Sequence, residues 1–178
     1  PCLAPLVDDA PPGDKWVHEI KWDGYRLVAF VDEGKVRIQT RNGHDWTSRF
    51  PSIAEAIGDL EVGSAILDGE AVVEDENGHS SFSRLQEALS NGGDARQAIF
   101  YAFDLLYRDG EDLRSLPLGE RKARLAELVP PSARGALRLS EHMEVDGRAM
   151  LRHACQLGME GIISKRRDLP YRSGRSGD

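Results

Sequence analysis

No apolar run in this sequence approaches the roughly 20 residues that a helical membrane span needs. The opening segment, PCLAPLVDDAPPGDKW, lacks the basic and apolar blocks of a signal peptide. Cysteine is scarce: Cys2 and Cys155 form no disulfide framework and no zinc pattern. The five histidines (His18, His44, His79, His142, His153) show no metal-ligand spacing. A Gly-x-Ser-x-Gly elbow and a glycine-rich phosphate loop are both missing, which leaves a hydrolase reading without support. Basic residues are outnumbered, 23 to 30, for a net charge of -7, and this argues against a module that coats nucleic acid by bulk charge. A cytoplasmic protein with no membrane partner is expected.

What remains is ordinary material for a globular domain: 178 residues, 40% hydrophobic and 30% charged, enough to bury a core. Strand patterns fill the first half. WVHEIKW and YRLVAFV flank Asp23-Gly24 and read as two strands around a tight turn. Glu33-Gly34 and KVRIQT extend them into an antiparallel meander. SAILDGEAVVE reads as a further hairpin or a bent strand, and AIFYAFDLLY as a buried strand. Helices are expected at FPSIAEAIGDL, at SFSRLQEALS and at PLGERKARLAELV, the last with Leu118, Leu125 and Leu128 on one face. A fourth should run from an N-cap at Asp146 to a C-cap at Gly158 and feed the strand MEGIISKRR. Antiparallel strands interspersed with helices indicate an α+β fold. The tail YRSGRSGD has linker composition and no closing element.

Chemistry concentrates at Lys21, which has Glu19, Asp23 and Arg26 for neighbours. A lysine amine is a nucleophile only when neutral, and burial or adjacent cations favour that state. Composition alone suggests the plainer role of a surface salt bridge with Glu19 or Asp23. The C-terminal strip from Lys165 to Arg175 carries five cations against Asp168 and is the one region suited to a polyanion.

EIKWDGYR resembles the lysine-x-Asp-Gly-x-Arg element of the covalent nucleotidyltransferases: ATP-dependent DNA ligases, RNA ligases and capping enzymes. Four more elements follow in that superfamily's order: TRNG (40–43), LDGE (67–70), YAFDLL (101–106) and EGIISK (160–165). RNGHDWTSRFP and YRSGRSGD most resemble the ligase modules of bacterial end-joining repair proteins, and the resemblance covers essentially the whole chain.

The resemblance implies that Lys21 attacks the α-phosphorus of ATP and carries AMP. It implies that Glu70 and Glu160 contact Mg²⁺ or Mn²⁺ and ribose hydroxyls, roles that suit oxygen-ligated hard cations. Phe103 would stack on adenine, with Ala102 and Asp104 on the opposite face of the strand; Glu19 would lie at the base edge. Arg26 resembles a ribose or phosphate ligand, Arg41 a contact for a DNA 5′-phosphate, and Lys165 a phosphate contact. Arg49 is a further candidate, with a helix-start salt bridge as its plainer role. On an extended strand Glu160 and Lys165 would emerge on opposite faces. Implied partners are DNA with nicks or breaks and fused polymerase or nuclease modules, and the implied location is the bacterial cytoplasm, in association with the nucleoid. The family continues past YRSGRSGD into a lysine-bearing strand and an OB domain, so residues 1–178 are expected to form an adenylation domain truncated before both and weak or inactive alone. Two other readings share these residues: a guanylyltransferase domain of the capping type, and a non-catalytic nucleic-acid-binding module.

Overall fold

A computed structural model describes residues 2–3, 5–7 and 9–175. In chain order the strands are β1 (Cys2–Leu3), β2 (Trp16–Ile20), β3 (Tyr25–Asp32), β4 (Lys35–Thr40), β5 (Ser64–Val72), β6 (Ile99–Arg108), β7 (Glu111–Asp112), β8 (Leu137–Leu139), β9 (His142–Met143), β10 (Ile162–Arg166) and β11 (Gly174–Arg175). The helices are α1 (Pro51–Gly58), α2 (Phe82–Leu89), α3 (Leu118–Leu128) and α4 (Gly147–Gln156). The fold is α+β, as expected.

The strands form two principal sheets. One runs β4-β3-β5-β6-β7, with β8 parallel to β6; the other runs β10-β2-β9. The core belongs to the larger sheet. Leu27, Ile38, Leu67, Phe100 and Leu105 are fully buried there, together with Ile53 and Ile57 of α1 and Leu125 of α3. Glu33 and Gly34, with φ of 46° and 76°, make the tight turn between β3 and β4, where left-handed backbone suits a hairpin's twist. β5 is one bent strand rather than a hairpin, with register shifts against β6 at Ile66/Leu67 and Asp68/Gly69. The Asp146 side chain accepts the Ala149 amide at the start of α4, and Gly158 closes it with φ of 71°.

One expectation is corrected. β2 and β3 do not form a hairpin: β2 belongs to the smaller sheet and β3 to the larger, so residues 21–24 cross from one to the other. Alternation identified both strands but carries no information about which neighbour each one pairs with. Gly24 is needed because the crossover grazes β5; a methyl group there would lie 2.1 Å from the Ala71 carbonyl oxygen. At the tail, Gly174 and Arg175 pair in parallel with Cys2 and Leu3, while the last three residues lie outside the described ones. Among the described residues no helix is long and apolar enough to cross a membrane.

Candidate active site

The crossover ends β2 at Ile20 and presents Lys21 to a cavity of about 380 Å³ between the sheets. Glu19, Lys21 and Arg26 line it from the region of the crossover, Glu70 and Phe103 from the larger sheet, and Glu160 and Lys165 from around β10. Lys21, Glu70, Phe103 and Glu160 therefore share one cavity. Arg41 does not: it is exposed beyond the end of β4, away from these groups.

Lys21 is held from both ends. Its amide donates to the Gly161 carbonyl at 3.0 Å, and its Nζ donates to Glu160 Oε1. The partner is thus neither Glu19 nor Asp23, as local composition suggested, but a carboxylate 139 positions away. Gly161, with φ of 154°, separates Glu160 from β10. That break lets Glu160 and Lys165 reach the same cavity, where five residues of uninterrupted strand would have opposed them.

Arg26 forms a fork on the fully buried Asp68 at 2.9 and 2.8 Å and also donates to the Cys2 carbonyl at 2.6 Å. Burial works against its charge, but the bonds and charge of Asp68 outweigh this and raise its pKa. Its guanidinium lies 4.8 Å from the Phe103 ring centroid, and Lys165 Nζ lies 4.3 Å from it, so the ring faces cations. Glu19 is buried, with Oε1 2.8 Å from Lys165 Nζ and 2.9 Å from Lys122 Nζ. Burial opposes its ionisation, yet the two lysines hold its pKa below the usual carboxylate value. Lys122 also donates to the Phe103 carbonyl at 3.0 Å, tying α3 to the aromatic strand.

Glu70 behaves differently. Burial pushes its pKa up to about 7; Arg26 and Lys21 pull it down, while Asp68 and Asp23 push it up. An acid with this pKa is about half protonated near neutral pH, and its charge responds to any cation brought beside it. No cluster of three His, Cys, Asp or Glu side chains able to hold a metal occurs among the described residues. The donor set fits an ion that draws most ligands from water and phosphate, as Mg²⁺ does.

Ala102 is buried in the main core, as expected, but Asp104 turns to Arg121 (2.8 and 2.9 Å) at the cavity wall that Phe103 also lines. Arg49 donates to the Leu89 carbonyl and lies 6.0 Å from the Trp46 ring. Three cations of the C-terminal strip are paired locally: Arg166 forks on Asp168, Arg167 meets Glu144 at 2.6 Å, and Lys165 is bound to Glu19. Asp68 and Lys122 were not foreseen. The signal for Lys122 was available: positions 118, 121, 122, 125 and 128 of α3 are one helix face, and all five are buried.

Comparison with known proteins decides the family. A model described as "ATP dependent DNA ligase domain" matches residues 5–178. The chain belongs to the ATP-dependent DNA ligase domain family. This ligase domain is 46% identical over 178 residues to the multifunctional non-homologous end joining protein LigD of Pseudomonas aeruginosa, covering all of this chain and 21% of that protein. It spans about a fifth of the length of the curated LigD relatives. In structure it is similar to the ligase domain of Mycobacterium tuberculosis LigD, with a TM-score of 0.82 at 38% identity, covering 98% of this chain and 56% of that one. It is also similar to mycobacterial DNA ligase D complexed with ATP and MES, with a TM-score of 0.79 at 35% identity and the same coverage.

Proposed function

We propose that this domain performs the covalent nucleotide-transfer steps of an ATP-dependent DNA ligase acting in end-joining repair. The observation that carries the reading is the convergence of Lys21, Glu70, Phe103 and Glu160, from four separate parts of the chain, on a cavity of about 380 Å³. That volume falls within the range of small-molecule sites.

In this reading a bond forms between Lys21 Nζ and the α-phosphorus of ATP while the bond to the bridging oxygen breaks. Pyrophosphate leaves with the electron pair. Attack requires the free amine; the proton leaves to solvent, which reaches both Lys21 and its hydrogen-bond partner Glu160. Phe103 supplies the stacking face for adenine, and the ionised Glu19 an acceptor for an exocyclic amine on the base edge. Arg26 and Lys165 balance phosphate charge. Glu70 and Glu160 are the carboxylates that would hold Mg²⁺, which neutralises charge on the transferring phosphate. AMP then passes to a DNA 5′-phosphate, and a 3′-hydroxyl displaces it to seal the strand; Arg41, outside the cavity, is available only to DNA beyond the reacting phosphate. The length of the LigD relatives supports placing the domain in a longer polypeptide, in which this reading expects an OB domain and fused repair modules.

Incubating the longer polypeptide with labelled ATP or GTP tests this. Transfer of AMP in strong preference to GMP, abolished by Lys21→Ala, is expected. Equal labelling by both nucleotides, or labelling of Lys21→Ala, contradicts the reading.

A further inference from the structure

The crossover at residues 21–24 belongs to neither sheet, so no strand ladder fixes it. Three of its four residues are anchored through backbone. Lys21 donates to Gly161, the Asp23 amide donates to Ser80 Oγ at 3.1 Å, and Gly24 packs directly on Ala71. These contacts set the path of the chain. They leave its rotation to the remaining residue, Trp22.

Trp22 lies flat on Tyr101, with ring centroids 3.7 Å apart and planes 12° apart, and its indole N–H donates to Ser140 Oγ at 3.1 Å. The platform beneath it is itself braced. Tyr101 O–H donates to Glu74 at 2.5 Å, and Arg138 donates to both Glu74 and the Tyr101 oxygen at 3.2 and 3.1 Å. Tyr101 is also the cross-strand partner of Glu70. The stack therefore ties the residue beside Lys21 to the strand position that carries Glu70.

We propose that Trp22 is a positioning residue: its stacking on Tyr101 and its bond to Ser140 set the aim of the Lys21 amine relative to Glu70 and Glu160. The proposal rests on Lys21 being the nucleophile. In-line attack tolerates little error, since a displacement of about 1 Å can cost on the order of a hundredfold in rate. A flat aromatic pair with one directional hydrogen bond resists rotation better than aliphatic packing of equal area.

The test is single-turnover formation of the protein–AMP adduct by the longer polypeptide, followed by intact mass over a range of ATP concentrations. Trp22→Leu should lower the limiting rate at least about tenfold while the half-saturating ATP concentration stays within about threefold. Trp22→Phe, which keeps the stack, should recover most of the rate, and Ser140→Ala should lose about threefold. Tyr101→Leu, which removes the platform from the other side, should reproduce the Trp22→Leu loss and serves alone if Trp22→Leu does not fold. A wild-type limiting rate in the leucine variants overturns the proposal. So does a loss confined to half-saturation, which would make Trp22 a nucleotide contact, or a Trp22→Phe no better than Trp22→Leu. Lys21→Ala run in parallel separates the underlying reading: an adduct there overturns that reading and this proposal with it.

Discussion

The two sheets are held by different physics. In the larger sheet the interior is aliphatic and aromatic, and Leu27, Leu67, Phe100 and Leu105 are completely withdrawn from water. In the smaller sheet every residue of β10 is half-buried, and β2 buries His18 and Glu19 beside Val17. Those polar groups are partnered individually, His18 Nδ1 by a hydrogen bond with Ser164 Oγ at 2.8 Å and Glu19 by ion pairs with Lys122 and Lys165. Apolar burial stabilises without direction. Buried ion pairs add little net stability but fix where each charge sits. The cavity lies at the seam, so a rigid wall bearing Glu70 and Phe103 faces a wall of located charges.

The sharpest way to break this contrast is to damage each side in turn. Leu67→Ala, in the larger sheet, should cost about 2 to 5 kcal/mol by leaving a cavity, read as a lower urea midpoint with unchanged slope and little response to salt. Lys122→Met should cost about 3 kcal/mol, because Glu19 keeps only Lys165 as a partner. Adding Glu19→Gln to Lys122→Met should recover part of that loss, which additive or purely hydrophobic behaviour would not. If Lys122→Met alone is neutral, the smaller sheet is not held by its ion pairs.

Glu70 sharpens the comparison at the seam. Its folded pKa of about 7 stands above the unfolded 4.5. The native state therefore keeps a proton that the unfolded chain has lost between those values, and stability falls as pH rises. The Glu70 contribution is full below about pH 4.5 and is gone above about pH 7. Glu70→Gln should flatten that slope and leave melting at pH 8 higher by a few degrees. The smallest effect should come from Arg114→Ala, which removes an exposed fork on Asp112 at 2.7 Å and should barely move the urea midpoint, because solvent and salt screen the pair.

Local rules carried far where the relevant partner is near in the chain. The β3–β4 turn at Glu33-Gly34, the apolar face of α3 and the Asp146 cap of α4 each depend on residues within a few positions. The five ordered motifs led to the cavity because each places at least one functional side chain on it, except TRNG, whose Arg41 stands apart. What alternation could not supply was pairing. Asp23-Gly24 has the composition of a hairpin turn, yet Gly24 is required by the Ala71 carbonyl beneath a crossover. The bonds Lys21–Glu160, Glu19–Lys122 and Trp22–Ser140 span more than a hundred residues each, and their partners are set by sheet topology rather than by spacing.

The central claim is that the Lys21 amine reacts at this cavity. Peptide mapping of the longer polypeptide after incubation with ATP and Mg²⁺ tests it most directly. The account predicts an AMP adduct confined to the peptide containing Lys21; an adduct on any other lysine, with Lys21 unmodified, would contradict it.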